Sequence, residues 1–100
     1  MFEKRKISLS AEARPDLRQA YDYYEAAQQG LGKRFVRHFI EAIDAISERT
    51  ESFPIMYKNA RRAIIQKFPY GVFFRDVGTH LDIFAVVDLR RHPRVWRRRV

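Results

Sequence analysis

The sequence predicts an α+β fold in which two helices pack on one face of a β-sheet. Three observations predict it: apolar residues recur every three or four positions in two segments of the first half, a pair of glycines separates those segments, and three short segments rich in Ile, Val and Phe fill the second half. We therefore expect an N-terminal strand, an antiparallel helical hairpin and a three-stranded antiparallel meander, followed by a short basic C-terminal segment. One hundred residues suffice for one hydrophobic core, so a single domain over residues 1–100 is expected.

The first helix is expected after a short strand at residues 6–9. Ser10 is suited to cap this helix because its hydroxyl can accept a backbone N–H of the first turn, and Glu12 adds an acid there. Pro15 conflicts with this start. Counted from Ser10, it lies one position beyond the four N–H groups that a helix leaves unpaired, so either the first turn is distorted or the helix begins at Pro15. The apolar stripe continues to about residue 28 and is formed by Leu17, Ala20, Tyr21, Tyr24 and Ala27.

The second helix is expected to follow Gly30 and Gly32 and to end near residue 51, before Phe53 and Pro54. Its apolar stripe comprises Phe35, Phe39, Ala42, Ile43 and Ile46. Two amphipathic helices joined by so short a turn pack antiparallel. We assign the aromatic residues of both stripes to the core, namely Tyr21, Tyr24, Phe35 and Phe39.

Three strands are expected in the second half, at residues 60–67, 72–77 and 81–87. Ile, Val and Phe favour strands, and the intervening FPYG and VGTH are turn signals of hairpin length. The order strand, helix, helix, strand, strand, strand is most simply satisfied by an antiparallel sheet with both helices on one face.

Composition excludes several classes of site. The chain has no cysteine and three scattered histidines, which excludes disulfides and thiolate metal sites and argues against any metal or other cofactor. The longest apolar runs, such as residues 83–87, are too short to span a bilayer, and the N-terminus lacks the apolar core of a signal peptide. We therefore expect a cytoplasmic protein with no membrane partner.

The positive charge is concentrated in the second half. Residues 1–50 carry nine Lys/Arg against eight Asp/Glu, a net charge of +1, whereas residues 51–100 carry eleven against four, a net charge of +7. An excess of this kind is suited to an acidic partner, which nucleic acid or an acidic protein surface would supply equally well.

The last 13 residues, DLRRHPRVWRRRV, contain six arginines and no acid after Asp88. Arg90 and Arg91 leave the final predicted strand and therefore have a defined direction. Trp96 is expected to anchor the tail on the domain, and the terminal arginines 97–99 are expected to be solvated.

The sequence resembles the toxins of the RelE/ParE superfamily over nearly its whole length. The resemblance runs through SAEARPDLRQAYDYYE and GKRFVRHFIEAIDAI, and its most specific parts are RRAIIQKFPYGVFFR and IFAVVDLRRHPRVWRRR. It implies a small basic toxin of a type II toxin–antitoxin module, of the kind called plasmid stabilisation proteins. Such a toxin is held inert in a hetero-oligomer by its cognate antitoxin, and attacks either DNA gyrase or ribosome-bound mRNA.

One departure from the family pattern favours gyrase. Many relatives read like AVLHGRRDP where this chain has AVVDLRRHP, so that Asp88 stands at the usual histidine, Leu89 at the glycine and His92 at the aspartate. We therefore favour ParE-like inhibition of DNA gyrase without cleavage of nucleic acid. Two alternatives stay open, a RelE-like ribosome-dependent mRNA endoribonuclease and a basic binding module with no toxicity.

Candidate site residues follow from these alternatives. RNA cleavage needs proton donors and acceptors together with cations that stabilise a charged phosphorane, and the candidates for these roles are Tyr70, Arg75, Asp88 and His92. The candidates for target binding are Arg62, Arg75, Arg90, Arg91 and Arg94. Structural roles are the stronger expectation for two of them: Asp88 as an ion-pair partner of neighbouring arginines, and Tyr70 as an aromatic residue that closes a hairpin. Arg61 and Arg62 should point to opposite faces of the sheet, with one of them capping its edge.

Overall fold

A computed structural model of the chain describes residues 4–100. In chain order, its elements are β1 (Ile7–Leu9), α1 (Ala13–Ala27), α2 (Leu31–Glu48), a 3₁₀ turn (Thr50–Ser52), β2 (Ile55–Tyr57), β3 (Ala60–Ile64), β4 (Tyr70–Asp76), β5 (Leu81–Asp88) and α3 (Arg94–Arg97). The strands form one sheet in the order β1-β5-β4-β3-β2. The predicted α+β class is confirmed. In the described part of the chain, no helix is long and apolar enough to cross a membrane.

The sheet differs from the prediction at both edges. The meander is one strand longer than predicted, because β2 pairs antiparallel with β3; three residues are too few to show an alternating pattern. At the other edge, β1 pairs with β5 in parallel, with Ile7 opposite Leu81, so the expectation of a purely antiparallel sheet was wrong. The two strands lie far apart in sequence, and no hairpin imposes an antiparallel direction on them.

The first helix begins at Ala13, two residues before Pro15. The backbone N–H of Ala13 donates to the Ser10 hydroxyl at 3.1 Å, so the predicted hydrogen bond is present. Glu12 rather than Ser10 is the residue that directly precedes the helix, because residues 11 and 12 form a turn. Pro15 is then the third helical residue, where a backbone N–H would have no partner inside the helix. Its missing donor therefore costs nothing, and the helix does not need to start at Pro15.

The turn between the helices is closed by Glu25 of α1. Its carboxylate accepts the backbone N–H groups of Gly30, at 2.9 Å, and Gly32, at 3.0 Å. Gly30 has a φ of +88°, which glycine adopts without strain. A Cβ on Gly32 would lie 2.8 Å from the carbonyl oxygen of Tyr21, so the close approach of the two helices requires glycine there.

The main core lies between the helical hairpin and the sheet. Phe35, Phe39 and Ile46 of α2 are buried against the sheet, and Tyr24 packs on this cluster. The predicted core positions are confirmed for these aromatic residues. Tyr21 is instead half-buried and lines an open groove beside the hairpin.

Turns shorten two predicted elements. The chain reverses over residues 65–69, where the N–H of Ile65 donates to the carbonyl of Tyr70 at 2.9 Å and Lys67 has a φ of +69°. β3 therefore ends before Gln66, and β4 begins at Tyr70 rather than at residue 72. Similarly, α2 ends at Glu48, and the 3₁₀ turn takes the residues predicted to be its last turn.

A second, smaller core covers the face of the sheet opposite the hairpin. Trp96 is 7% exposed, and its ring stacks on Phe73 with the centroids 4.2 Å apart. Phe84 is buried in the same cluster. The predicted role of Trp96 as the anchor of the tail is confirmed.

A β-bulge in β5 explains how the end of the chain is fixed. Phe74 lies opposite Ile83 and Phe73 opposite Ala85, which leaves Phe84 as an extra residue. Beyond the end of β1, side chains take the place of a neighbouring strand. Asp16 accepts the backbone N–H of Val86 at 3.0 Å, and Arg99 donates to the carbonyl of Phe84 at 3.1 Å.

The same two side chains form an ion pair. Arg99 Nη1 lies 2.6 Å from Asp16 Oδ2, and their side chains are only 12% and 13% exposed. The prediction that arginines 97–99 are all solvated is therefore wrong for Arg99, because a free strand edge near the chain end needs polar partners. Arg97 and Arg98 are exposed, as predicted.

Candidate functional site

Two of the candidate residues meet where β4 begins and β5 ends. Tyr70 lies directly opposite Asp88 in the sheet register. Beside them, a groove of about 260 Å³ separates the end of the sheet from α1. Its lining comprises Asp16, Gln19, Ala20, Tyr23, Tyr70, Val86, Val87, Asp88 and Arg91. We refer to it as the sheet-end groove.

Asp88 is committed to Arg90. The carboxylate accepts the Arg90 Nε–H at 2.9 Å and the Arg90 backbone N–H at 2.8 Å, which closes the turn that follows β5. These hydrogen bonds lower the pKa of Asp88, although burial opposes the shift. The predicted ion pair is confirmed. A carboxylate that is ionised and already paired in this way is a weak proton acceptor.

Tyr70 packs into the core and keeps its proton at neutral pH. Its ring meets Phe35 edge-on with the centroids 5.1 Å apart. Burial raises the pKa of the Tyr70 hydroxyl, and the nearby charge of Asp88 acts in the same direction. The hydroxyl can therefore donate a hydrogen bond into the groove, but it is not a general base there.

Tyr23, Arg91 and Gln19 are the exposed residues among those that line the groove. Tyr23 is 64% exposed, the largest exposed fraction among the large hydrophobic side chains of the described chain. Arg91 is exposed and makes no ion pair with another described residue. Sequence reasoning missed Tyr23; the signal was its position one residue away from the apolar stripe that contains Tyr24.

Arg75 and His92 do not join this groove. Arg75 lies near the other end of β4, where its guanidinium is 3.5 Å from the Asp82 carboxylate and 5.2 Å from the centre of the Phe84 ring. The Nδ1 of His92 accepts the backbone N–H of Arg94 at 3.1 Å in the turn before α3. Of the four catalytic candidates, the structure therefore brings together Tyr70 and Asp88.

Comparison with known proteins places this geometry in a family. The family model described as the ParE toxin of type II toxin–antitoxin system, parDE, matches residues 7–96. The chain belongs to the ParE toxin family. The predicted resemblance to the RelE/ParE superfamily is thereby confirmed.

A solved structure gives independent support for the ParE fold. The chain is similar to one from the chromosomal ParDE toxin–antitoxin system of P. aeruginosa, with a TM-score of 0.75 and 17% sequence identity. The match covers 85% of this chain and 96% of the other. No curated protein matches the chain.

Besides Arg75, two further predicted target-binding residues of this ParE-family chain lie away from the sheet-end groove. Arg62 on β3 is opposite Phe73 and therefore shares the face that α3 covers, while Arg94 begins α3. A Cβ on Gly71 would lie 2.9 Å from the Leu89 side chain and 3.3 Å from Arg62 Cδ, so glycine makes room for both.

Arg61 points to the opposite face from Arg62, as predicted from strand alternation. Its Nη1 donates to the carbonyl of Phe53 at 2.6 Å, where it caps the edge of the sheet. Within residues 4–100, no three His, Cys, Asp or Glu side chains gather in a way that could hold a metal ion.

Proposed function

We propose that this ParE-family toxin arrests growth by binding DNA gyrase through the sheet-end groove, without cleaving nucleic acid. The proposal is based on the protonation of Tyr70 and the pairing of Asp88 in the groove. Tyr70 keeps its proton and Asp88 is tied to Arg90, so neither supplies a base for attack by a 2′-hydroxyl. Arg75 and His92 lie elsewhere, which leaves the chemistry of RNA cleavage without a complete set of groups.

The exposed groups of the groove are suited to a protein target. Tyrosine and arginine are the residue types, with tryptophan, that most often contribute large shares of binding energy at protein interfaces. Tyr23 and Arg91 stand at the two sides of a concave surface, between α1 and the end of the sheet. A target side chain seated between them would meet an aromatic face and an exposed cation.

We further propose that a cognate antitoxin neutralises the toxin at a different surface, beside the helical hairpin. A groove of about 380 Å³ lies there, with an apolar lining of Leu9, Leu17, Tyr21 and Val36 and with Arg14 and Arg18 in its walls. On the same helix as Val36, Ile40 is 53% exposed. An amphipathic antitoxin segment could bury these apolar groups while its acids meet the arginines.

Controlled expression of the chain in a bacterial host tests the proposed target. We expect incorporation of labelled thymidine to stop before incorporation of labelled leucine, since a blocked gyrase halts replication first. If leucine incorporation stops first and transcripts are cleaved, the chain is a ribosome-dependent ribonuclease. Unimpaired growth at full expression would make it a non-toxic binding module.

The substitution Arg91→Glu tests the proposed surface. It reverses the charge of the exposed cation in the sheet-end groove and should abolish growth arrest. The melting temperature should change little, because exposed substitutions usually shift stability by at most about 0.5 kcal/mol. Arg37→Glu, an equal charge change at an exposed position of α2, is the matched control and should remain toxic. Full toxicity of the Arg91 variant would remove the groove from the proposal.

A further inference from the structure

The exposed side of α3 carries three arginines and no acid. Arg94, Arg97 and the following Arg98 are exposed. Arg97 and Arg98 come three and four positions after Arg94, which places the Cβ of each about 5–6 Å from that of Arg94. Residues 89–100 contain no Asp or Glu. Within the described chain, the three guanidinium groups form no ion pair.

Buried contacts hold this short helix in place. A four-residue helix is unstable by itself, but α3 is fixed on one side by the stack of Trp96 on Phe73. Beyond its end, Arg99 is fixed by Asp16 of α1 and by the carbonyl of Phe84. The outward arginines therefore start from defined positions, which lowers the entropy lost when a partner binds.

Neighbouring groups extend the positive surface. The Arg97 guanidinium lies 5.0 Å from the centre of the Tyr57 ring and 5.6 Å from that of Trp96. Lys58 approaches the Tyr57 ring to 5.3 Å. Arg62 lies on the same face of the sheet, next to the Phe73–Trp96 stack. Together these residues form the α3 basic face, which comprises Lys58, Arg62, Arg94, Arg97 and Arg98.

The composition of this face indicates the class of partner. Protein interfaces usually bury an apolar centre, whereas the exposed large hydrophobic side chains of the described residues all lie outside α3. One of them, Ile64, flanks Arg62 on β3, and a single such residue is ordinary on any surface. Interfaces with nucleic acid are more polar and far more positive than those with proteins.

The burial of Trp96 argues against single-stranded nucleic acid as the partner. A protein that binds single strands stacks bases on exposed aromatic rings, but Trp96 is 7% exposed and occupied by Phe73. The half-buried ring of Tyr57 is occupied as well, since Arg97 and Lys58 lie 5.0 and 5.3 Å from its centre. Arginines beside covered rings, on a helix too short to enter a groove, are suited to phosphates rather than to base edges.

We propose that the α3 basic face binds the phosphate backbone of duplex nucleic acid without reading its sequence. The proposal does not depend on the target of the toxin, because these residues lie outside the sheet-end groove. Duplex DNA and duplex RNA share the phosphate chemistry, and separate probes distinguish them.

The test is the salt dependence of binding. The chain, purified after cell-free synthesis, is titrated against fluorescent duplexes of about 20 base pairs, one DNA and one RNA, over roughly 50 to 200 mM salt. The triple variant Arg94→Gln, Arg97→Gln, Arg98→Gln should reduce the slope of log K against log salt by about 3, or roughly one for each phosphate that is no longer neutralised. The tighter of the two duplexes identifies the source of phosphate.

A charge-matched variant separates a specific face from the overall charge. Lys33→Gln, Arg34→Gln, Arg37→Gln removes the same charge from exposed positions of α2 and should leave the slope within about 1 of the wild type. Thermal melts verify that both variants fold. The proposal is overturned if both triples lose equal slope, if neither duplex binds, or if polyglutamate binds through the α3 basic face more tightly than either duplex.

Discussion

Replacing Arg99 with methionine should destabilise the protein more than the same substitution at any other arginine of its C-terminal tail. Methionine keeps the length of the apolar stem and removes the guanidinium. The substitution removes the hydrogen bonds to Asp16 Oδ2 at 2.6 Å, to Asp16 Oδ1 at 3.2 Å and to the carbonyl of Phe84 at 3.1 Å. The variant therefore tests the importance of the clasp between the chain end, α1 and the bulge of β5.

The magnitude follows from burial. Removing one partner of a buried ion pair costs about 3–5 kcal/mol, because the other charge stays buried without compensation. Asp16 keeps its hydrogen bond from the Val86 N–H, so we take the lower end of that range, about 3 kcal/mol. For a domain of this size, the melting temperature should fall by roughly 12–24 °C.

The assay is urea and thermal unfolding, followed by circular dichroism, of the wild type, Arg99→Met and a control. Arg98→Met is the matched control, because Arg98 is the neighbouring residue, is exposed and carries the same charge. Its replacement should lower the free energy of unfolding by at most about 0.5 kcal/mol. The stability of Asp16→Asn should lie between those of the Arg99→Met and Arg98→Met variants, since an amide oxygen can still accept the N–H of Val86. Equal stability of the Arg98 and Arg99 variants would refute the clasp.

Two further predictions concern the second core and the stability of the protein at low pH. Trp96→Ala should lower the free energy of unfolding by about 3–5 kcal/mol, because it empties the site over Phe73; a loss below about 1 kcal/mol in urea titrations would show that the tail is not anchored there. Asp76 accepts both Nη groups of Arg5, which lowers its pKa from 3.8 to about 2. The stabilisation is complete above pH 3.8 and is lost as the pH falls through 2. Asp76→Asn should therefore be less stable than the wild type by at most about 1 kcal/mol above pH 4, since the pair is exposed, and the difference should vanish towards pH 2; a pH-independent difference would contradict this.

The sequence predicted those elements whose apolar residues repeat at a regular spacing because one side of the element is buried. A helix that buries one side must repeat its apolar residues every three to four positions, so the stripes of Phe35 and Phe39 were visible without a structure. Strand β2 was not predicted because its three residues show no alternation. Two predicted elements were too long because their last residues form turns. One of these turns contains Lys67, and a lysine gives no indication in the sequence that its φ will be positive.

Contacts between distant residues could not be predicted from such patterns. Asp16 and Arg99 are 83 positions apart, and the bulge at Phe84 that they complete depends on the register between β4 and β5. The alternation of side chains along a strand places Arg75 and Tyr70 on opposite faces of the sheet, since they are five positions apart. The predicted strand started two residues too late to include Tyr70, and the separation was therefore missed.

The most direct test of the proposed function is the supercoiling activity of purified DNA gyrase in the presence of the chain, measured in parallel with translation of a reporter mRNA on purified ribosomes. We predict that the wild-type chain inhibits supercoiling, that Arg91→Glu does not, and that the reporter mRNA stays intact with both. Cleavage of the mRNA by a chain that leaves supercoiling unaffected would contradict the proposal and identify the toxin as a ribonuclease.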